Sequence, residues 1–190
     1  MLPGTKIEML IPEDVKKSGN IPEWISSETE KILNNLFSAG GLVLSQVVQL
    51  TGLEYHTVQN WVKRKFLSPP VQKKYSRRQL CRIILINALK DVMTISDIVK
   101  MFSYINGHLD DESDDSIADD RLYIYFVGMI HSVKEYDESM IEDAAGKIVS
   151  DYTEPFPGSK KRLISVLKIM TYAYYSTVMK SKASVLMTSI

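Results

Sequence analysis

The chain has 190 residues and a formal net charge of zero, and 45% of its residues are hydrophobic and 24% charged. This balance is that of an ordinary globular protein whose core needs no metal or disulfide, and the single cysteine, Cys81, excludes an internal disulfide. No apolar run approaches the roughly 20 residues of a membrane span, and residues 1–10 lack the pattern of a signal peptide. We therefore expect a cytoplasmic protein with no cofactor, no metal and no membrane partner.

Residues 1–40 are expected to form an N-terminal arm followed by one helix. Prolines and glycines punctuate the arm, which leaves little regular structure there. Pro22 suits the first turn of a helix, where its missing N–H costs nothing. The apolar residues at helical spacing end at Ala39–Gly41, which predicts the end of this helix.

Residues 41–107 begin with the most informative pattern, two short helices joined by a tight turn. The first helix is predicted from an N-cap at Ser45 to about Leu50. Gly52 then supplies the positive φ that a sharp corner between helices requires. The second helix is predicted from about Tyr55 to Lys65.

The second helix has one apolar face and one polar face. Val58, Trp61 and Val62 recur at i, i+3 and i+4, which predicts that they are buried. The other side is rich in amides and cations, which pair with base edges and phosphates in a DNA major groove. Its candidate DNA-contacting residues are His56, Thr57, Gln59, Asn60, Lys63, Arg64 and Lys65. The alternative is an ordinary solvated helix.

A basic loop follows the second helix. Ser68–Pro70 prevents the helix from continuing, and residues 71–75 are long enough only for a short loop or a two-strand wing. The expected wing and phosphate contacts are Lys73, Lys74, Tyr75, Arg77 and Arg78. Taken alone, these residues could equally be a solvated run of charge.

The remaining sequence predicts helices only. Ser76 with Gln79 and Thr94 with Asp97 are helix starts, and Asn106–Gly107 is a helix stop. Three further helices are expected at Leu122–Val133, Met140–Val149 and from about Lys160 onwards. The predicted class is therefore all-α, with a helical C-terminal part at residues 117–190.

Charge is distributed unevenly along the chain. The sequence from Gly41 to Lys90 contains many basic residues and a single acidic one, Glu54, whereas residues 110–120 are mostly acidic. Such asymmetry is typical of a basic binding face on one module and a solvated acidic surface on another. We therefore interpret residues 110–120 as a solvated linker.

These residues resemble the N-terminal winged helix-turn-helix of the MerR family. The aligned positions, without gaps, are Ser45–Val48, Thr51–Gly52, Thr57–Val58, Trp61, Phe66–Leu67 and Pro69. Tyr75–Leu80 looks like the wing and next helix start of that family, so the resemblance covers about Leu42 to Phe102. The chain as a whole is similar to a bacterial family known only as a domain of unknown function, DUF1836.

Two departures from the MerR pattern stand out. The Arg-Tyr of the recognition helix is replaced by Gln59–Asn60, and the usual glycine before Leu-Leu is Lys65. The Arg that clamps a backbone phosphate is thus missing, although Lys63 and Arg64 lie within one turn of its place. The C-terminal half also lacks the paired cysteines of the metal-responsive members.

The resemblance implies a DNA-binding transcription regulator that acts on double-stranded DNA, with an unidentified small-molecule or protein effector. We expect a homodimer, because one short recognition helix buries too little surface for useful specificity. The helix from Lys160 is the first candidate for the dimer contact, and Tyr172, Tyr174 and Tyr175 either line an effector pocket or form core or dimer contacts. The alternative is a protein-interaction module that keeps the helix-turn-helix skeleton without DNA binding. We expect no enzyme, because no nucleophile with a base, phosphate loop or pair of carboxylates in an apolar setting is present.

Overall fold

A computed structural model describes residues 23–109, 111–133, 136–188 and 190, and these residues are mostly helical, as expected. The predicted arm, residues 1–22, lies outside them. The described elements are α1 (Glu23–Leu36), β1 (Leu42–Val43), α2 (Leu44–Thr51), α3 (Tyr55–Lys63), β2 (Lys74–Tyr75), α4 (Arg77–Leu89), α5 (Ile95–Asn106), α6 (Asp119–Ser132), α7 (Glu138–Ile148) and α8 (Ser159–Met187). Across the described ranges, none of these helices is both long enough and apolar enough to cross a membrane.

The two short strands tie the start of α2 to the loop that follows α3. They pair antiparallel, with Leu42 opposite Tyr75 and Val43 opposite Lys74. The backbones approach closely beside the pair, because a Cβ on Gly41 would lie 2.9 Å from both the Cβ of Lys74 and the carbonyl oxygen of Tyr75. The basic loop therefore pairs chiefly with the residues before α2, and its own hairpin is reduced to a single bridge between Val71 and Lys74.

The predicted helix starts at Ser76 and Thr94 and the predicted stop at Asn106–Gly107 are confirmed, whereas α6 and α7 begin at Asp119 and Glu138, earlier than predicted. The Oγ of Ser76 accepts the N–H of Gln79 at 3.2 Å, and the Oε1 of Gln79 accepts the N–H of Ser76 at 2.8 Å. The Oγ1 of Thr94 accepts the N–H of Asp97 at 3.2 Å in the same way. Gly107 follows the end of α5 with a φ of 65°.

The predicted N-cap at Ser45 is wrong. The N-cap lies two residues earlier, at Val43, which is extended with a φ of −78° and a ψ of 160°. Pairing with β2 holds Val43 in this conformation, so α2 starts as soon as the strand ends. The side chain of Gln46 accepts the otherwise free N–H of Val43 at 3.0 Å.

Helices α4 and α6 form the centre of the core. Helix α4 packs against α2, α5, α6 and α8, and α6 packs against α1, α4, α7 and α8. Because α4 lies in the predicted head and α6 in the predicted C-terminal part, one continuous apolar cluster joins the two segments. Cys81 on α4 is fully buried, and burial raises the pKa of its thiol, as expected of a small core residue.

The first half of α8 also belongs to the core. Tyr174 and Tyr175 are buried, and the Tyr174 ring meets the Phe126 ring of α6 edge-on at 6.3 Å between centroids. The Tyr175 ring meets the ring of Tyr136 at 6.1 Å. These tyrosines therefore act as packing contacts, the second of the two roles considered for them.

Residues 111–113 are exposed, but the prediction of a solvated acidic linker is wrong for residues 115–120. Asp119 is buried and accepts two hydrogen bonds from Arg82 on α4, at 2.9 and 3.1 Å. The Arg82 guanidinium also lies 4.9 Å from the centroid of the Phe102 ring. Because a buried guanidinium needs a compensating charge, the end of the acidic run is drawn into the core.

A second buried contact holds the same segment. The side-chain amide of Asn106 donates to the carbonyl oxygen of Ile117 at 2.6 Å. Its oxygen accepts the N–H of Ile117 at 3.1 Å. The chain entering α6 is thus fastened to the end of α5 as well as to α4.

We expect Asp119→Ala to lower the free energy of unfolding by about 3–5 kcal/mol, because it leaves the Arg82 cation buried without a partner. The paired change Arg82→Met/Asp119→Leu should cost much less, since it removes both charges. Urea titration followed by circular dichroism measures both.

The control for this prediction is Asp143→Ala, which removes an exposed carboxylate 3.1 Å from Lys147. It should change the free energy of unfolding by at most ~0.5 kcal/mol. Equal midpoints for Asp119→Ala and Asp143→Ala would contradict the assigned importance of the buried pair.

Candidate functional site

The corner between α2 and α3 is rigidly held. Gly52 has a φ of 65° and a ψ of 18°, and its N–H donates to the carbonyl of Val48 at 2.8 Å. The Thr51 hydroxyl donates to the carbonyl of Val47 at 2.8 Å. The carbonyl of Thr51 accepts the side-chain amide of Asn87 on α4 at 3.2 Å. The angle between the two helices is therefore fixed locally and from the core.

Helix α3 faces the solvent with its polar side. Val58 and Trp61 are buried, as predicted, so the opposite side of the helix points outward. His56, Gln59, Asn60 and Lys63 are exposed, and Thr57 is partly exposed. The predicted base-facing and phosphate-facing residues of α3 thus share one accessible surface with no acidic side chain between Tyr55 and Lys63.

The end of α3 lies two residues earlier than predicted. Lys65 adopts a left-handed conformation with a φ of 58°, which ends the helix. The N–H groups of Phe66 and Leu67 then both donate to the carbonyl of Trp61, at 2.8 and 3.3 Å. Arg64 and Lys65 remain exposed, and the Arg64 guanidinium lies 4.9 Å from the centroid of the Phe66 ring.

A second group of exposed cations lies on the turn before β2. Gln72 and Lys73 have φ values of 50° and 63°, and the N–H of Lys74 donates to the carbonyl of Val71 at 2.9 Å. This tight turn presents the side chains of Lys73 and Lys74 to solvent.

The preceding loop is fastened to α4 by one side chain. The Nε2 of Gln79 donates to the carbonyl oxygens of Ser68 and Pro69, at 2.9 and 3.0 Å. The loop between α3 and the basic turn is therefore positioned by the first turn of α4.

Three predicted contact residues, Tyr75, Arg77 and Arg78, have other roles in the structure. Tyr75 is a buried core residue, because the alternation of β2 points Lys74 outward and Tyr75 inward. The Nε of Arg77 lies 2.8 Å from the Asp120 carboxylate, and one of its terminal nitrogens donates to the side-chain oxygen of Asn34 at 2.6 Å. The expectation of outward-facing contacts is thus corrected for Tyr75 and Arg77.

Arg78 is held by the acidic run. Its guanidinium lies 2.6 Å from the Glu112 carboxylate and also bonds the Asp115 carboxylate. Burial opposes the charge of Arg78, but the bond to Asp115 and the neighbouring carboxylates raise its pKa above the ordinary value. Burial also raises the pKa of Asp115, and the bond from Arg78 offsets only part of that rise.

An open groove of about 710 Å³ lies beside the basic turn and the acidic run. Its lining includes Lys74, Ser76 and Arg78 together with Glu112 and Asp115. The acidic residues thus lie next to the surface that the sequence marks as basic. The sequence signal for this arrangement was Arg82, a cation within a nearly all-apolar helix, which requires an acidic partner from elsewhere in the chain.

The described residues therefore define a helical protein in which α2 and α3, an exposed and basic two-helix unit, are joined to a helical core. The chain matches the family described as "Domain of unknown function (DUF1836)" over residues 32–126, half of its length, and it belongs to this family. The match begins in α1 and ends within α6. It therefore includes both the two-helix unit and the acidic run.

The chain is also similar to the "Uncharacterized protein YkrK" of Bacillus subtilis (strain 168). The two are 26% identical over 161 residues, which cover 75% of this chain and 69% of that protein. No solved structure matches the chain.

We expect Gly52→Ala to lower the free energy of unfolding by ~1–2 kcal/mol, because alanine is strained at this left-handed corner. The matched control is Gly146→Ala within α7, where an added Cβ meets no atom within 4 Å. Since glycine weakens a helix interior, that change should raise the free energy of unfolding by ~0.5–1 kcal/mol. Urea denaturation compares the two, and effects of the same sign would contradict the assigned conformation.

Proposed function

We propose that this protein is a DNA-binding transcription regulator that acts as a homodimer, with α2 and α3 as a MerR-like winged helix-turn-helix. The observation that carries the proposal is the exposed side of α3, which combines amides and cations without an acidic residue. The buried side of the same helix fixes which residues face outward. The fixed corner at Gly52 gives α3 one orientation.

Helix α3 is the recognition helix in this proposal. Its nine residues span about 13 Å, which suits one half-site in a major groove. Gln59 and Asn60 carry amides that pair bidentately with adenine, and His56 and Thr57 lie on the first turn, the end that reaches base edges. Sequence preference is assigned to these four residues.

The exposed cations bind the phosphate backbone. Lys63, Arg64 and Lys65 cluster at the end of α3, and Lys73 and Lys74 form the tip of the wing. Lys63, Arg64 and Lys65 supply charge within one turn of the place where the MerR-like pattern has its phosphate-clamping Arg. The left-handed Lys65 also supports the resemblance, because it occupies the place of the glycine in that pattern.

The homodimer is assigned to the projecting end of α8. Beyond Tyr175 no described residue of α8 is buried, and Met179, Val185, Leu186 and Met187 are exposed. An accessible stripe of apolar or small residues at alternating spacings of three and four runs along the helix: Ile169, Tyr172, Ser176, Met179, Ala183 and Leu186. This is the spacing of a seam between paired helices.

Charge indicates a second copy in antiparallel orientation. Helix α8 has no acidic residue, and its projecting end carries Lys180 and Lys182. Glu138 of α7 lies near Tyr172, at the other end of the stripe, beside Glu142, which pairs with Lys168 of the same copy. An antiparallel pair places each basic end against the acidic end of the other copy, whereas a parallel pair places the lysines together.

A protein-interaction module is the second candidate. It is favoured by the ion pairs of Arg77 and Arg78 with carboxylates, because these pairs leave fewer free cations than the sequence suggests. The two candidates differ in one measurable property, since only DNA binding through phosphates depends steeply on salt.

For DNA binding we expect Arg64→Ala and Lys74→Ala each to weaken retention of every duplex and to reduce the slope of log affinity against log salt by about 0.9, because each removes one phosphate contact. Asn60→Ala should keep the slope but relax sequence preference. Selection of bound genomic fragments, followed by fluorescence anisotropy on a selected and a mixed-sequence duplex, measures both effects.

Lys147→Ala is the control for these variants, since it removes an exposed lysine of α7, which packs against α6 and α8. It should leave affinity and slope unchanged. A wild-type protein that shows no salt-dependent retention would exclude DNA binding and leave the protein-interaction module as the function.

For the homodimer we expect Leu186→Glu to give a monomer in sedimentation equilibrium, because it places a charge within the apolar seam. Ser184→Glu adds the same charge outside the stripe and should leave the dimer intact. A dimer that persists in both variants would place the contact elsewhere on the molecule.

A further inference from the structure

We propose that the acidic segment, residues 111–115, competes with the DNA backbone for Arg78. Its carboxylates bind the Arg78 guanidinium until a DNA phosphate displaces them. The inference rests on the proposed function and adds a regulatory element to it. Arg78 then belongs to the DNA-binding surface only in the displaced state.

The acidic segment lies where a phosphate would approach. Glu112 and Asp115 line the same groove as Lys74 and Ser76, so they face the basic turn and the first turn of α4. The start of a helix attracts negative charge, which is the reason that both carboxylates and phosphates bind there. The carboxylates thus occupy a place suited to a DNA phosphate.

The contact between Glu112 and Arg78 is of a kind that exchanges readily, whereas the contact between Asp115 and Arg78 is partly buried. No residue of the 3₁₀ turn Glu112–Asp114 is buried, so little apolar surface is lost when it moves. Its ion pair to Arg78 involves a Glu112 side chain that is 74% exposed. Exposed ion pairs are weak, and a phosphate can replace the carboxylate as the partner of Arg78.

The acidic segment stays tethered during such an exchange. It lies in a loop that is closed by two hydrogen bonds between Asn106, at the end of α5, and Ile117. On its C-terminal side, Arg82 also holds Asp119 in the core. A short tether gives a high effective concentration, so weak contacts suffice to compete with DNA.

The experiment measures binding of a mixed-sequence duplex by the full chain as salt is varied. Glu112→Gln/Asp115→Asn keeps the shape of both side chains and removes their charges. We expect roughly three- to tenfold tighter binding and a salt slope steeper by about 0.9, the contribution of one added phosphate contact.

Arg78→Gln tests whether the gain acts through the proposed residue. In the wild-type background it should change the affinity for DNA little, because Arg78 is already paired with Glu112 and Asp115. In the neutralised background it should cancel the gain and return the slope to the wild-type value. This non-additivity is the signature of the competitor.

Asp91→Asn/Asp143→Asn is the matched control, because it removes two charges from exposed residues beyond the end of α4 and on α7. An equal gain in this control would show a general charge effect and overturn the inference. Wild-type retention with no gain on neutralising the segment would also overturn it, and would leave the proposed function intact. Retention by none of the variants would overturn the proposed function and this inference together.

Urea titration of each variant shows whether it is folded. If the double variant is unfolded, Glu112→Gln alone carries the test, because this side chain is mostly exposed. Its gain should be smaller but should still be cancelled by Arg78→Gln, and a folded Glu112→Gln protein with wild-type affinity and slope would overturn the inference.

Discussion

The buried pair between Arg82 and Asp119 is the constraint on which the rest of the structure depends. It links the middle of α4 to the first turn of α6 with two hydrogen bonds, inside a core that is mostly apolar. Taking a guanidinium out of water is costly unless a carboxylate accompanies it. The acidic run must therefore fold back onto α4. That return path places Glu112 and Asp115 beside Arg78.

The same constraint divides the basic residues into two groups. Those on α4 (Arg77, Arg78 and Arg82) are all paired with carboxylates. Those at the end of α3 and at the turn that leads into β2 remain exposed, and the sequence from Tyr55 to Lys74 contains no acidic residue. A net charge of zero thus conceals a local basic surface. The proposed function depends on that surface, and the proposed competitor depends on the boundary between the two groups.

Backbone conformation shapes the candidate recognition helix at both ends. Gly52 turns the chain before α3, and Lys65 ends the helix after it, each with a positive φ. Between these points the buried Val58 and Trp61 set the rotation of the helix about its axis. The polar side chains therefore face outward for a structural reason that is independent of what they bind.

The sequence by itself determined what depends on neighbouring residues. The caps at Ser76 and Thr94, the corner at Gly52 and the buried face of α3 follow from interactions within about four residues, so local patterns were sufficient to predict them. The roles of Tyr75 and Arg78, and the path of the acidic run, depend on strand pairing and on ion pairs between residues 37 positions apart. Only the tertiary structure could decide these, because a charge pattern shows how many cations and carboxylates are present but not which of them meet.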